Sequence, residues 1–184
     1  MAYTDIDFDR KKFKKYSGEI IEDIISYIIN FVNSGVDVRV IVGCDSIQKK
    51  TYTQYALTIM LYDEMRHNGA HVIYMKIKTK KERDLFSRLM NESLYSLDLS
   101  NWLDEKLEGK YIMPKFSVND YDGSVPTKKV EIHVDVNPEI GRNSRNKSFV
   151  AYSSIMGLLC GLGFSVKSKP VSFAASSAAD SILK

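Results

Sequence analysis

The sequence predicts a mixed α/β fold in which helices cover both faces of a single sheet. The first observation is a helical pattern followed by three strand-like segments with short connections, which favours an antiparallel meander. The second is that later segments alternate between helix and strand, which favours parallel pairing through helical crossovers. The predicted order is one helix, three strands, and then helix, strand, helix, strand and helix, so the sheet should have five strands.

The composition fits one domain with an ordinary hydrophobic core. The chain has 184 residues, of which 44% are hydrophobic and 27% charged, as is usual for globular proteins. We therefore expect a single domain over residues 1–184, in which residues 1–16 form a basic lead-in. The net charge of +3 is compatible with a nucleic-acid partner without requiring one.

Nothing in the sequence indicates a membrane or secretory destination. No apolar run reaches the length of a membrane span, and the acidic start lacks the apolar centre of a signal peptide. Cys44 and Cys160 lie in apolar segments, without a second Cys or His at zinc-ligand spacing. We expect a cytoplasmic protein with reduced cysteines and no membrane association, and the oligomeric state is left open.

The first half of the chain contains the first helix and the meander. Isoleucines recur at helical spacing after Ser17, a plausible N-cap, and Gly35 is a plausible stop. Three segments rich in β-branched and aromatic residues follow, at 38–46, 52–62 and 70–78.

The second half begins with a long helix. Thr79 and Glu82 have the spacing of a capping box, and the helical pattern continues to about Leu107. A long loop, with room for one short strand, is predicted at 108–129, because this segment contains two glycines and two prolines. The fourth strand is predicted at 130–137.

The remaining elements are shorter. A helix after the fourth strand should end at Gly161 or Gly163, and the segment FSVKS reads as a fifth, short strand. The last segment, SFAASSAADSILK, is predicted to be a terminal helix.

Two aspartates stand at the ends of apolar strands. The segment VIVGCDS places Asp45 directly after an apolar run, and EIHVDVN places Asp135 in a similar position. If the two strands are parallel neighbours, about 4.8 Å apart, both carboxylates emerge at the same edge. Carboxylates so close repel each other unless a cation lies between them, and oxygen ligands suit Mg²⁺ or Mn²⁺.

Two helices supply further acids. Glu92 falls in the row of leucines that marks the apolar face of the long helix, and Asp180 follows a run of small residues that allows close approach to a sheet. Each acid has a simpler interpretation, as a turn former, a solvated helix residue or a surface charge. All four nevertheless fall where one mixed fold brings them to a single cleft.

This order of acids, together with the meander, resembles the ribonuclease H-like superfamily. The segments GCDSIQ, MNESLYSL, EIHVDVN and KPVSFAASSAAD more narrowly resemble the YkuK family of RNase H-like proteins. The resemblance covers about residues 18–184. It implies an RNase H-like fold and a divalent-metal site, but it does not imply a particular activity.

The predicted chemistry is phosphodiester cleavage with two metal ions and a DEDD-type set of ligands. One ion would activate water and the other would stabilise the leaving oxygen. Asp45 would bridge the ions, and Glu92, Asp135 and Asp180 would complete the set. No Ser-His-Asp arrangement and no phosphate-binding glycine motif is present as an alternative.

Two neighbours of the acids are expected to support them. Ser46 follows Asp45, and His133 shares a strand face with Asp135. A proton carrier or a support for a metal ligand is one interpretation of His133, and a buried, hydrogen-bonded strand histidine is the other.

Basic and aromatic side chains near the predicted site are candidates for nucleic-acid contacts. The candidates for phosphate binding are Arg142, Arg145, Lys147 and Lys169. A polar, capped loop is the alternative interpretation of the segment GRNSRNK. Tyr52 and Tyr55 could stack on bases, although alternating tyrosines are also common in strands.

Three functions therefore compete. The first is a metal-dependent nuclease acting on RNA, DNA or a hybrid. The second is a non-catalytic RNase H-like module that binds nucleic acid or a protein partner. The third is a purely structural or interaction domain with its acids on the surface. The complete set of four acids favours the first.

Overall fold

The computed structural model describes residues 3–35, 37–65, 70–111, 118–138 and 148–184, and their strands form one mixed sheet. The strands are β1 (Phe13–Lys15), β2 (Ile20–Ile21), β3 (Val38–Gln48), β4 (Tyr52–Asp63), β5 (Ala70–Lys80), β6 (Glu131–His133) and β7 (Ser165–Lys167). The helices are α1 (Ile24–Ser34), α2 (Leu85–Lys106), α3 (Phe149–Gly161) and α4 (Asp180–Leu183), with a 3₁₀ turn at Phe8–Arg10. A π-helical segment, Ala174–Ala179, leads directly into α4.

The sheet order is β2-β1-β5-β4-β3-β6-β7. Strands β3, β4 and β5 form the predicted antiparallel meander. Strand β6 pairs parallel with β3, and β7 pairs parallel with β6, as the alternation of helix and strand predicted. The predicted mixed sheet is therefore present, but it has seven strands in the described residues and not five.

The two additional strands form a small hairpin in the N-terminal segment. Gly18 adopts a left-handed φ of 92° in the turn, so β2 folds back on β1. Because the isoleucines of β2 are used in this hairpin, α1 begins later than its isoleucine pattern suggested. Its N-cap is Asp23, whose carboxylate accepts a hydrogen bond from Ser26 N at 3.0 Å, and the prediction of Ser17 was wrong. Gly35 is the C-cap, as predicted.

The long helix α2 also begins later than predicted. Pairing with β4 extends β5 as far as Lys80, so Thr79 is a strand residue and not a cap. The N-cap is Asp84, which accepts a hydrogen bond from Ser87 N at 2.8 Å. The predicted end near Leu107 is confirmed, because Leu107 is the C-cap.

Strand β6 ends earlier than the predicted strand at 130–137, but the chain after it continues to contact the β7 segment. Val134 N donates to Lys167 O at 2.9 Å, and Lys169 N donates to Val136 O at 3.1 Å. The chain therefore stays beside the β7 segment beyond the last regular strand residue, His133.

The two faces of the sheet are covered unequally. Helices α1, α2 and α3 pack on one face, through two clusters of buried aliphatic and aromatic side chains. The opposite face carries the segment from Ala174 to Leu183, which packs on Ile41, Met60 and Ala56. None of the helices in the described ranges has the length and apolar character that crossing a bilayer requires.

A side chain lies against the outer edge of β7. Asn119 Nδ2 donates to Phe164 O at 2.9 Å, and Val166 N donates to Asn119 Oδ1 at 3.0 Å. Asn119 is only 2% exposed, and Ser124 fixes its amide further through a hydrogen bond of 3.0 Å.

Candidate carboxylate site

The register of β3 and β6 brings Asp45 and Asp135 to the same edge of the sheet. Gly43 is opposite His133 in the parallel ladder, and Asp45 and Asp135 lie two residues further along each chain. The predicted placement on adjacent parallel strands is confirmed, although Asp135 follows the last regular residue of β6. Both side chains are half-buried at this edge.

A close backbone contact places Asp180 beside them. A Cβ atom on Gly43 would lie 2.6 Å from Ala174 C and from Ala175 N, so only glycine allows this approach. Thr58 Oγ1 donates to Ala174 O at 3.1 Å and to Gly43 O at 3.2 Å, which holds the π-helical segment on the sheet. Asp180 is the first residue of α4, directly after this segment.

The fourth acid comes from the opposite face. Glu92 lies in α2 and is 5% exposed, and Ser46 Oγ donates to Glu92 Oε1 at 2.5 Å. The backbone N of Ser46 donates to Asp45 Oδ1 at 2.7 Å. Ser46 therefore contacts two of the four acids, as expected for a residue that supports them.

The charges of these acids influence one another. The pKa of Asp45 is raised to about 6, chiefly by burial and also by the negative charges of Asp135 and Asp180, against the lowering effect of a hydrogen bond from Ser46 N. Burial raises the pKa of Glu92 to about 8, with further contributions from Asp45 and Asp135. Asp45 thus interacts electrostatically with three other carboxyl groups from separate parts of the chain, and we call these four groups the carboxylate site.

Cationic side chains already contact this site. Lys169 Nζ lies 2.9 Å from Asp135 Oδ1, and Lys184 Nζ lies 2.5 Å from Asp180 Oδ2. The pKa of Lys184 is raised by its hydrogen bond to Asp180 and also by Asp45. Arg88, one helical turn before Glu92, lowers the pKa of Asp45 and of Glu92. Within the described ranges, no three His, Cys, Asp or Glu side chains converge closely enough to hold a metal ion as they stand.

The other predicted site residues have different outcomes. Lys169 faces the carboxylate site as expected, through its contact with Asp135. The structure favours the structural interpretation of His133, because Nε2 is 2.7 Å from Glu131 Oε1 and Nδ1 accepts from Ala174 N at 3.2 Å. The predicted phosphate contacts of Arg142, Arg145 and Lys147 lie outside the described residues.

Of the two interpretations of Tyr55, the structure supports an ordinary strand residue and not a base-stacking side chain. Its side chain is fully buried, and its hydroxyl donates to Glu82 Oε1 at 2.9 Å. Tyr52 remains partly exposed.

Sequence reasoning overlooked two cations, Arg88 and Lys184. Helical spacing could have identified both, since Arg88 lies four residues from Glu92 and Lys184 lies four residues from Asp180.

The raised pKa of Glu92 gives a pH dependence that can be measured without metal. The folded protein holds this proton up to about pH 8, whereas the unfolded chain releases it near the ordinary pKa of 4.5. The protonated Glu92 therefore contributes to stability at low pH, and this contribution is lost as the pH rises from about 4.5 to about 8. We expect the free energy of unfolding in EDTA to fall by a few kcal/mol, since each tenfold change in proton affinity corresponds to about 1.4 kcal/mol.

The raised pKa of Asp45, about 6, adds a decrease of its own at lower pH, so the variants are compared above pH 6. In that range Glu92→Gln should remove most of the decrease, and Glu105→Gln, at an exposed position of α2, should retain it. Denaturant titrations across the pH range measure the free energy of unfolding of the wild type and of both variants. A wild-type profile as flat as that of Glu92→Gln would contradict the burial of an ionisable Glu92.

Comparison with known families agrees with this fold. A family model described as Ribonuclease H-like matches residues 19–184, so the chain belongs to the Ribonuclease H-like family. Searches of curated proteins and of solved structures gave no match.

Proposed function

We propose that this protein is a divalent-metal-dependent nuclease of the YkuK type, with Asp45 at the centre of its carboxylate site. The observation that carries the proposal is the electrostatic interaction among these acids. The negative charges of Asp135 and Asp180 raise the pKa of Asp45, and the charge of Asp45 raises the pKa of Glu92. Like charges gathered from separate elements destabilise a fold unless a cation binds among them.

The donor set suits a hard divalent cation. All four candidate ligands are carboxylates, which are preferred by Mg²⁺ and Mn²⁺. Asp135 Oδ1 is buried and receives no hydrogen bond of good geometry, although Lys169 Nζ lies close to it. We assign Asp45, Glu92, Asp135 and Asp180 as the residues that would hold the metal.

The chain's own groups prepare the site in distinct ways. Bound Mg²⁺ or Mn²⁺ would supply an activated water and charge stabilisation for phosphodiester hydrolysis. Ser46 orients Asp45 and Glu92 through its two hydrogen bonds. Arg88 favours the ionised forms of the same two acids. Lys169 and Lys184 neutralise Asp135 and Asp180, so a metal ion competes with these two lysines.

The same two ion pairs favour a second candidate, a non-catalytic module that binds nucleic acid. Lysines on Asp135 and Asp180 would keep the acids neutralised without any metal, and the site would then contribute only to the fold. The two candidates differ in whether metal binds.

The experiment compares thermal melting and cleavage in EDTA and in increasing Mn²⁺ or Mg²⁺. A nuclease should gain about 2.7 kcal/mol of stability at a hundredfold excess of metal over Kd, and should cut a labelled oligonucleotide only when metal is present. A melting temperature that ignores millimolar Mn²⁺, together with an intact oligonucleotide, would exclude the nuclease and leave the non-catalytic module.

A further inference from the structure

One edge of the sheet carries a concentration of exposed lysines beside the carboxylate site. Strands β3 and β5 both pair antiparallel with β4, so they run in the same direction and end at the same edge. We call the lysines there the basic edge, which consists of Lys49, Lys50, Lys76, Lys78, Lys80 and Lys81. The first two lie in the turn between β3 and β4, and the others lie in the second half of β5 or directly after it.

The strand register fixes the position of these lysines relative to Asp45. Asp45 is opposite Ala56, and Ala56 is opposite Lys76, so Asp45 and Lys76 lie in one row across the sheet. Ile182 and Leu183 of α4 pack on Ala56 between them, so a bound nucleic-acid strand would cross α4 to reach Asp45. Two strand spacings separate them, which is about 10 Å. Lys78 and Lys80 continue on the same face at intervals of about 6.6 Å, because alternate strand residues point the same way.

The positive charge of the basic edge is not compensated by ion pairs in the part of the chain that the structure describes. Over the ranges that the structure describes, none of its six lysines forms an ion pair. The nearby acids are otherwise engaged. Glu82 Oε1 accepts hydrogen bonds from Tyr55 and from Asn91, and Asp84 caps α2.

Protection of an exposed strand is the alternative explanation for lysines on β5. Strand β1 pairs with β5 at Tyr74 and Ile73, and Tyr16 N continues the contact to Val72 O, so the pairing does not extend to the lysines. Lysines are common where a strand edge is unpaired. This explanation does not extend to Lys49 and Lys50, because they belong to the turn between β3 and β4 and not to an unpaired strand. Two chain segments therefore contribute charge to one place, next to the acids.

We propose that the basic edge binds the phosphate backbone of a single-stranded nucleic acid and directs it to the carboxylate site. This inference rests on the proposed function, since it names the substrate class for the same site. Charge complementarity identifies the partner, because lysines bind phosphate as point charges without reading bases. A single row with a regular interval along β5 matches one extended backbone. Lys78 Nζ lies 5.2 Å from the ring centre of Tyr52, so the stem of this lysine is held at the surface.

Binding in EDTA tests this inference separately from cleavage. The probe is a labelled single-stranded oligonucleotide of mixed sequence, compared with the duplex of the same sequence by fluorescence anisotropy at several salt concentrations. The variant is Lys76→Gln/Lys78→Gln/Lys80→Gln. The matched control is Lys106→Gln/Lys110→Gln/Lys129→Gln, which removes the same charge near the far end of α2, about 30 Å along the helix.

The variant should lower the slope of log affinity against log salt by about 2, and should weaken binding on the order of a hundredfold at about 0.1 M salt. The control should bind like the wild type. Equal losses in both variants would show an effect of net charge alone and would overturn the assignment. Wild-type affinity retained by the variant, or duplex bound more tightly than single strand, would also overturn it, whether or not the protein cleaves. Normal binding without metal-dependent cleavage would overturn only the nuclease function.

Discussion

The substitution Asp45→Asn should abolish metal-dependent cleavage and remove most of the stabilisation by Mn²⁺. Asparagine keeps the shape of the side chain and still offers an oxygen to Ser46 N, so the local hydrogen bond can persist. It removes the charge that couples to Asp135 and Asp180. Without metal, the variant should be at least as stable as the wild type, because repulsion among the acids is reduced.

The measurement is thermal melting and oligonucleotide cleavage in EDTA and across a Mn²⁺ titration. The wild type should gain about 2.7 kcal/mol at a hundredfold excess of metal over Kd, and the variant should gain much less. Asp120→Asn is the matched control, because Asp120 is an exposed loop residue. An Asp45→Asn protein that still cleaves at the wild-type rate would contradict the central role given to Asp45.

The substitution Gly43→Ala should destabilise the protein by about 1–3 kcal/mol, as overpacking of a close contact usually does. The new Cβ atom would meet the backbone of Ala174 and Ala175 at 2.6 Å, and backbone atoms cannot turn aside as a flexible side chain can. The π-helical segment should move away from β3. Asp180 should move with it, so metal affinity should fall together with stability.

Denaturant titration and a Mn²⁺ titration of the same samples measure these two effects. Gly161→Ala is a suitable control, because a Cβ atom there would have nothing within 4 Å. It should leave stability unchanged or raise it by about 0.5–1 kcal/mol, the usual gain from glycine to alanine within a helix. A Gly43→Ala protein with wild-type stability would show that the segment can shift without loss.

Local patterns were sufficient to predict the elements that build the carboxylate site. Apolar runs ending in Asp45 and Asp135 identified two strands, and parallel pairing then required both acids to share an edge. The row of leucines around Glu92 showed that this acid faces the core, and the small residues before Asp180 indicated close packing on the sheet. In each case the signal is a period or a composition within one segment.

Features that depend on pairing between distant segments were not predictable in the same way. A two-residue strand such as β2 has no period, so its isoleucines read as the start of a helix. The contact between Lys169 and Asp135 depends on how the chain continues after β6. The basic edge likewise appears only when the register of β3, β4 and β5 is known, because its lysines come from two separate segments.

The amide of Asn119 also affects how copies of this protein behave toward one another. It occupies a carbonyl and an N–H group on the outer side of β7 that would otherwise be open to a strand from another molecule. At the opposite end of the sheet, β2 is only two residues long, too short to template much pairing. The unpaired part of β5 carries lysines that repel their counterparts on a second copy. All three features oppose intermolecular strand addition and therefore aggregation through the sheet.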